Sequence, residues 1–269
     1  MTRALTTPNL RTVPASPTRR VDPGLLVALA SAAAFGTSGP FSKALLESGW
    51  SAGSIVLLRV GGAALLLLGP ALLAVRGRWP LVRSQLRTIA VFGLAAVAGC
   101  QVAYVNAIEH LPVGVALLLE YLAVVLVALW VWLRTGRAPA RLTWIGMAAA
   151  VAGLVLVLDL TGATAPALVG VLWGLLAAVG LTAYFVAAAN ESGLPPIALA
   201  AFGMLAGAAA LAGLGLTGLL PMTFSTAPVH VGGADLPAWA AVAELAVVAA
   251  ALAYLLGTVA TRRLGSTVA

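Results

Sequence analysis

The stretch FSKALLESG at residues 41–49 is partly repeated as FVAAANESG at residues 185–193, an offset of 144 residues. The two copies share a phenylalanine, an alanine and a final Glu-Ser-Gly, and Gly69 is matched by Gly213 at the same offset. A second match, offset by 153, pairs Ala107, Leu111, Val115 and Ala116 with Ala260, Leu264, Val268 and Ala269. Self-similarity at a nearly fixed offset is typical of an internal duplication. We therefore predict that the chain contains two related units.

Composition predicts that both units lie in a membrane. Hydrophobic residues make up 62% of the chain and charged residues only 9%, which is too little polar surface to cover a soluble globule. The net charge of +7 would suggest nucleic acid only if the basic residues shared one face, and they are divided among separate loops. Cys100, His110 and His230 provide neither an internal disulfide nor a zinc motif. We expect no metal, no cofactor and no nucleic-acid partner.

Eight continuously apolar runs have the length that a membrane-spanning helix needs, about 20 residues. Barrel strands would instead alternate in polarity, so helices are predicted. Residues 1–23, rich in Thr, Pro and Arg, are predicted to form a disordered cytoplasmic tail. A cleaved signal peptide is the alternative for the first apolar run, but this run continues through Leu46 and is long enough to remain in the membrane. The predicted spans are 24–46, 51–75, 87–108, 112–133, 141–158, 167–188, 196–219 and 238–261.

The positions of the positive charges predict the orientation. Of 15 Lys and Arg residues, only Lys43 and Arg59 fall in the interior of spans, since Arg87 and Arg141 are the first residues of spans three and five. The others lie in the tail, after spans two and four, or after span eight, and these segments share one side of the membrane. The positive-inside rule therefore places the N-terminus in the cytoplasm. The seven tryptophans lie near span ends, as in an interfacial aromatic belt. We predict a multi-pass protein of the cytoplasmic membrane, with the lipid bilayer as its surroundings.

Counting spans shows how the two units are related. The repeat pairs spans one and two with spans six and seven, so each unit contains five spans. An odd number inverts the second unit, and inverted repeats are a construction of secondary transporters. We predict a first unit at residues 24–158 and a second, inverted unit at residues 167–269. The predicted fold is an all-α integral membrane protein with eight complete transmembrane helices.

Ionisable side chains inside the spans are candidates for function, because each costs roughly 2.5–3.5 kcal/mol at the bilayer centre on insertion scales. Arg59 on span two and Glu120 on span four each lie eight residues beyond the predicted start of their span. Both are therefore about 12 Å deep and can meet as a pair. A structural salt bridge is the alternative for both, and snorkelling for Arg59. In a cavity, Glu120 could bind a substrate ammonium group or carry a proton, and the sequence does not separate these roles.

Other polar residues at similar depth are further substrate- or proton-binding candidates, with ordinary interhelical or interfacial contacts as the alternative. Gly36, Gly39 and Pro40 are predicted to kink or unwind span one, which would free backbone groups for a ligand. A kink that serves packing alone is the alternative. The further polar candidates are Thr37, Gln101, Tyr104 and Glu244.

Four phrases of the sequence resemble the EamA family of the drug/metabolite transporter superfamily. They are FGTSGPFSK at 35–43, LLR at 57–59, LLEY at 118–121 and AYLL at 253–256. The resemblance implies a ten-helix exporter of amino acids and other small metabolites, built as two inverted five-helix units around a central cavity. The Leu-Glu-Tyr phrase is most similar to the threonine and homoserine exporter branch. We expect a small-molecule substrate and no enzyme activity, since no nucleophile–base pair or metal cluster is present.

The resemblance also implies a ninth and a tenth helix after Ala269, and the sequence contains neither. The second unit is then truncated after its third helix. Either the chain is a fragment of a longer protein, or it is an eight-helix variant whose cavity a partner completes. A membrane-embedded partner or scaffold subunit, or a non-functional fragment, is therefore the alternative to a transporter driven by proton or ion exchange. The chain could also form a homo-oligomer.

Overall fold

The fold is known from a computed structural model that describes residues 23–158, 167–189, 193–256 and 259. In these residues, eight helices are long and apolar enough to cross a membrane. They closely match the eight predicted spans and confirm the all-α membrane fold. Spans one to eight are Gly24–Glu47, Ala52–Ala74, Leu86–His110, Val113–Thr135, Arg141–Leu158, Leu168–Val186, Pro196–Leu216 and Ala238–Leu256.

Some predictions lie outside the described residues. These are the tail before residue 23, Glu191 and Ser192 of the second repeat copy, and the segment beyond residue 259 with its two arginines.

The described secondary structure consists of twelve α-helices, two π-helical segments and two strands. The α-helices are α1 (Pro23–Gly36), α2 (Ser38–Glu47), α3 (Ala52–Ala74), α4 (Trp79–Ser84), α5 (Leu86–Val91), α6 (Cys100–His110), α7 (Val113–Tyr121), α8 (Ala123–Thr135), α9 (Arg141–Leu158), α10 (Leu168–Ala189), α11 (Pro196–Leu216) and α12 (Ala238–Ala243). The π-helical segments are π1 (Phe92–Gly99) and π2 (Glu244–Leu252), and the strands are β1 (Val229–Val231) and β2 (Ala234–Leu236).

Span one is interrupted at Thr37, between α1 and α2. Pro40 explains the position of the interruption. It has no N–H to donate to the carbonyl of Gly36, four residues earlier, and its ring would clash with that carbonyl in a continuous helix. In the first turn of α2, by contrast, an amide would have no partner inside the helix, so Pro40 is tolerated there. The irregular backbone thus lies next to Gly36, within the stretch where the sequence predicts it.

Three further irregularities were not expected from the sequence. Span four is divided at Leu122 into α7 and α8, and spans three and eight contain the π-helical segments π1 and π2. None of the three stretches contains proline, and most of their residues are Ala, Val, Leu and Gly. Such residues suit a regular helix equally well, so local composition contains no signal for these departures. A π-helical turn inside an α-helix often marks a functional site.

Spans three and seven approach closely at glycines. A Cβ added to Gly207 would lie 2.8 Å from the backbone oxygen of Gly93, and a Cβ on Gly203 would meet the ring of Phe92. Contact between helix backbones needs small residues at the crossing, as in other membrane helix pairs. Large apolar side chains elsewhere on the bundle remain exposed, as lipid-facing surfaces require.

The connection between spans seven and eight forms a small antiparallel hairpin from β1 and β2. His230 lies opposite Asp235 across this hairpin, and their exposed side chains form an ion pair. Such exposed pairs contribute little to stability. Val229 is fully buried, and β1 packs against α2. The hairpin therefore lies on the bundle at the end where span one finishes, which we call the hairpin end.

The chain leading to the hairpin is bound to the beginning of span two. The hydroxyl of Ser54 donates to the carbonyl of Thr223 over 2.6 Å, and that of Ser51 donates to the carbonyl of Pro221 over 2.8 Å. The ring of Trp50 meets the ring of Phe224 edge-on, with 5.4 Å between centroids. Trp50 is thus buried under this segment and does not belong to a lipid-facing aromatic belt.

Gly207→Ala should destabilise the bundle, because the new Cβ would meet the backbone of span three, which cannot move aside as a flexible side chain can. We expect a loss of about 1–3 kcal/mol, the usual cost of overpacking, seen as a lower melting temperature in detergent. Gly213→Ala, on the same helix with open space around its Cβ, is the matched control. Equal melting temperatures for the two variants would contradict the close crossing.

Candidate functional site

The six predicted polar candidates come from five spans and lie in the same layer of the bundle. Each lies six to ten residues from the end of its span nearest the hairpin, which corresponds to a depth of about 9–15 Å. All six are therefore in the half of the membrane nearer the hairpin end.

Arg59 is buried and bonded to span three. Its side chain is only 3% exposed, and Nη1 donates to Oε1 of Gln101 over 2.7 Å. The guanidinium carbon lies 5.6 Å from the centroid of the Phe35 ring, within the range of a cation–π interaction. The positive charge of Arg59 is therefore stabilised inside the membrane by two neutral groups, the amide of Gln101 and the ring of Phe35. The remaining donors of its planar fork can serve a ligand.

Glu120 does not pair with Arg59, contrary to the expected contact. No nitrogen of Arg59 lies within 4.0 Å of a Glu120 oxygen; the ion pair found among the described residues is the one on the hairpin. Span three packs against both span two and span four, and this position explains the difference. Its consecutive residues Cys100 and Gln101 face different partners, and Gln101 takes the guanidinium.

The carboxyl group of Glu120 instead meets a thiol. Its Oε1 lies 3.5 Å from Sγ of Cys100, and the same sulfur lies 3.4 Å from the carbonyl oxygen of Ala177 on span six. Glu120 is only 5% exposed. Because a thiol is a weak donor, this carboxyl group retains most of its capacity to accept hydrogen bonds. Two residues later the helix of span four is interrupted at Leu122.

Tyr104 contributes a buried hydroxyl that has no hydrogen-bond partner among the residues that the structure describes. The residue is 2% exposed, and its oxygen would lie 2.7 Å from a Cβ on Gly39. Gly39 thus lets span one approach this hydroxyl. An unsatisfied buried polar group costs about 1–3 kcal/mol, so a ligand that bonds to this hydroxyl would recover that cost.

Thr37 and Glu244 join the interruption of span one to the first residue of π2. The hydroxyl oxygen of Thr37 lies 2.7 Å from the carbonyl oxygen of Ala34 and is also hydrogen-bonded to Oε1 of Glu244. The second carboxyl oxygen, Oε2, is buried and has no partner. Two irregular helices are therefore connected through one hydroxyl and one carboxyl group.

The other helix-break candidates do not contact the site in this way. Gly36 is exposed and has open space around it, and Pro40 is exposed on α2. Lys43, also on span one, donates to the carbonyl of Ile108 over 2.8 Å, near the end of α6. A cation at a helix C-terminus is stabilised there, so Lys43 has a structural role outside the polar layer.

Sequence reasoning missed Cys100 in this layer, and it missed Phe35, Tyr184 and Tyr254, which lie 12 to 16 residues from the hairpin end of their spans. The ring centroids of Tyr184 and Tyr254 lie 6.5 Å apart. Cys100 precedes Gln101 in the sequence, and Phe35 and Tyr254 belong to phrases that carry the family resemblance. The faces of the helices on which these side chains lie are the signal that could have found them.

The layer contains one guanidinium and two carboxyl groups inside the membrane. Arg59 interacts electrostatically with Glu120 and Glu244, although neither forms a contact ion pair with it. Buried charges are screened far less than exposed ones, so the three groups affect one another. Such a layer can hold both a positive and a negative group of one ligand. In the part of the chain that the structure describes, no three His, Cys, Asp or Glu residues are placed to hold a metal ion.

Comparison with known proteins relates the chain to one protein family. One solved structure, described only as a crystal structure of a protein, is 21% identical and covers 89% of this chain and 78% of its own, with a TM-score of 0.49. No curated protein matches the chain significantly. The EamA-like transporter family matches residues 22–159, just over half of the chain. The chain therefore belongs to the EamA-like transporter family, and is a multi-pass membrane transporter of the drug/metabolite type.

Proposed function

We propose that the protein exports amino acids or similar small metabolites across the cytoplasmic membrane by proton- or ion-coupled alternating access. One observation carries the proposal: a buried guanidinium and two buried or half-buried carboxyl groups share one layer without contact ion pairs. Buried charges of this kind are expensive and mark substrate or ion pathways. An amino acid carries a carboxylate and an ammonium group, so it could pair with the guanidinium and with a carboxyl group at the same time.

The role that each polar group plays in ligand binding follows from the hydrogen-bonding capacity that the protein leaves unused. Arg59 uses a donor for Gln101 and has others for the carboxylate of a ligand. Glu120 has only the thiol of Cys100 as a described donor, so it can take the ammonium group. The free hydroxyl of Tyr104 can bond either end of the ligand. Threonine and homoserine are the first ligands to test, because the Leu119-Glu120-Tyr121 phrase resembles that exporter branch.

Two inverted units would supply the rocking motion. π1 and π2 lie in the third span of each proposed unit, and their first residues are 152 positions apart, close to the 153 of the second sequence match. The family match to residues 22–159 has nearly the bounds of the proposed first unit. Both findings support units at 24–158 and 167–269. The distribution of basic residues supports a cytoplasmic N-terminus, which places the hairpin end outside.

Glu120→Gln should weaken the binding of ammonium-bearing ligands, because the ligand charge would lose its partner in a site of low dielectric constant. We expect the dissociation constant to rise about 30-fold or more, which corresponds to 2 kcal/mol or more for a buried charge pair, and efflux from loaded vesicles to stop. Calorimetry on the purified protein and efflux assays measure the two effects.

Glu47→Gln is the matched control, since Glu47 is an exposed glutamate at the hairpin end of span one. It should bind and transport as the unmodified protein does. A well-inserted Glu120→Gln variant with unchanged affinity and efflux would exclude Glu120 from the site.

Gly39→Ala should also impair binding, because its Cβ would push against the hydroxyl of Tyr104 and the side chain of Val113. We expect a roughly tenfold or greater loss of affinity, from displacement of a group that bonds the ligand. Gly36→Ala, three residues earlier with open space around its Cβ, should leave affinity unchanged. If the two variants bind equally well, Tyr104 does not contact the ligand.

A further inference from the structure

We propose that Glu244 holds a proton in this conformation, shared with Thr37 across spans one and eight, and that an ammonium-bearing ligand displaces it. Glu244 would then be the coupling residue of the transporter. The proton site is argued from hydrogen bonds, burial and the neighbouring charges. Its exchange with a ligand rests on the function proposed above.

The number of hydrogens available between Thr37 and Glu244 is the first reason to place a proton on Glu244. The hydroxyl of Thr37 has one hydrogen, but its oxygen is in hydrogen-bond contact with two acceptors, the carbonyl oxygen of Ala34 and Oε1 of Glu244. An ionised carboxylate only accepts hydrogen bonds. One hydrogen cannot serve both contacts fully. If Thr37 donates to Ala34, the contact with Glu244 needs a hydrogen from the carboxyl group, which a protonated Glu244 supplies.

The surroundings of Oε2, the other carboxyl oxygen of Glu244, are the second reason. Oε2 of Glu244 is buried, and no donor from the described part of the chain reaches it. An ionised carboxylate would place about half of its charge on this oxygen, and an unpaired buried charge is far more costly than an unpaired neutral oxygen. A proton on Oε1 leaves Oε2 as a neutral carbonyl oxygen. The same oxygen is free to accept an N–H of a ligand.

The third argument concerns the charges around Glu244. π2 packs against α1, α2, α3 and α12, and α1 and α12 contain no titratable residue. Arg59 on α3 interacts electrostatically with Glu244, but makes no contact ion pair with it. The titratable residues of α2 are Lys43, whose amine is bonded to Ile108, and the exposed Glu47. No cation among the described residues therefore neutralises an ionised Glu244 by direct contact.

The proton on Glu244 can then be exchanged for a ligand. With Glu244 protonated, Glu120 is the carboxylate of the layer that takes the ammonium group of a ligand, while Arg59 takes the ligand's carboxylate. When an N–H of the same ammonium group also approaches Oε2, Glu244 releases its proton to solvent and keeps the bonding electron pair as a carboxylate. Thr37 then has one hydrogen for two acceptors, so the contact between spans one and eight weakens. Ligand and proton thus exclude one another, as exchange across a membrane requires.

Infrared spectroscopy of the purified protein at neutral pH tests the proton directly. A protonated carboxyl group has a carbonyl band distinct from that of a carboxylate. We expect Glu244→Gln to lose an acid band that Glu47→Gln retains, and Thr37→Val, which removes the bonded hydroxyl, to shift it. An acid band that is unchanged in both Glu244→Gln and Thr37→Val would overturn the proposal.

Ligand-induced proton release tests the exchange. Threonine or homoserine added to the weakly buffered protein should release up to one proton per ligand bound, measured with a pH indicator, and Glu244→Gln should release none. Binding to the unmodified protein without proton release would overturn the exchange. If neither ligand binds while the acid band of Glu244 is present, the function proposed above fails and the proton site stands.

Discussion

A charge placed inside a bilayer needs a partner, and this requirement shapes the centre of the molecule. Arg59 is almost completely buried and takes Gln101 and the Phe35 ring as partners, not a carboxylate. Span three supplies Gln101 and lies against both span two and span four. Glu120 is therefore left with a thiol. The unpaired charges that make the layer suitable for a ligand are a consequence of where span three lies.

The departures from regular helix are found beside the same polar residues. Thr37 is the interruption of span one, and Glu120 lies two residues before the interruption of span four. π1 ends just before Cys100 and Gln101, and Glu244 is the first residue of π2. Irregular helices leave some backbone groups without their usual partners, which membrane proteins tolerate where those groups line a cavity. Pro40 explains the interruption of span one, and the other three departures each lie beside residues of the polar layer.

The sequence allowed the spans and the depth of each polar residue to be predicted, because length and apolarity determine where a helix enters and leaves the bilayer. It also located the irregularity of span one, where Pro40 removes a specific hydrogen bond. It did not predict that Arg59 would bond Gln101 and not Glu120, because depth says nothing about which helix lies between two others. The π-helical segments and the break at Leu122 had no local signal, since alanine, valine and leucine suit a regular helix equally well. The hairpin was missed because its strands are only three residues long.

Cys100 offers the most direct test of the central claim, that a ligand occupies the layer between Arg59 and Glu120. It is the only cysteine in the chain, and its sulfur lies 3.5 Å from the carboxyl group of Glu120. The measurement is the rate at which a small thiol reagent labels Cys100 in the unmodified protein, as threonine or homoserine is added. The account predicts that ligand slows labelling in a saturable way, at the concentrations where it binds. Labelling at the same rate with the ligand bound would place the ligand elsewhere and contradict the account.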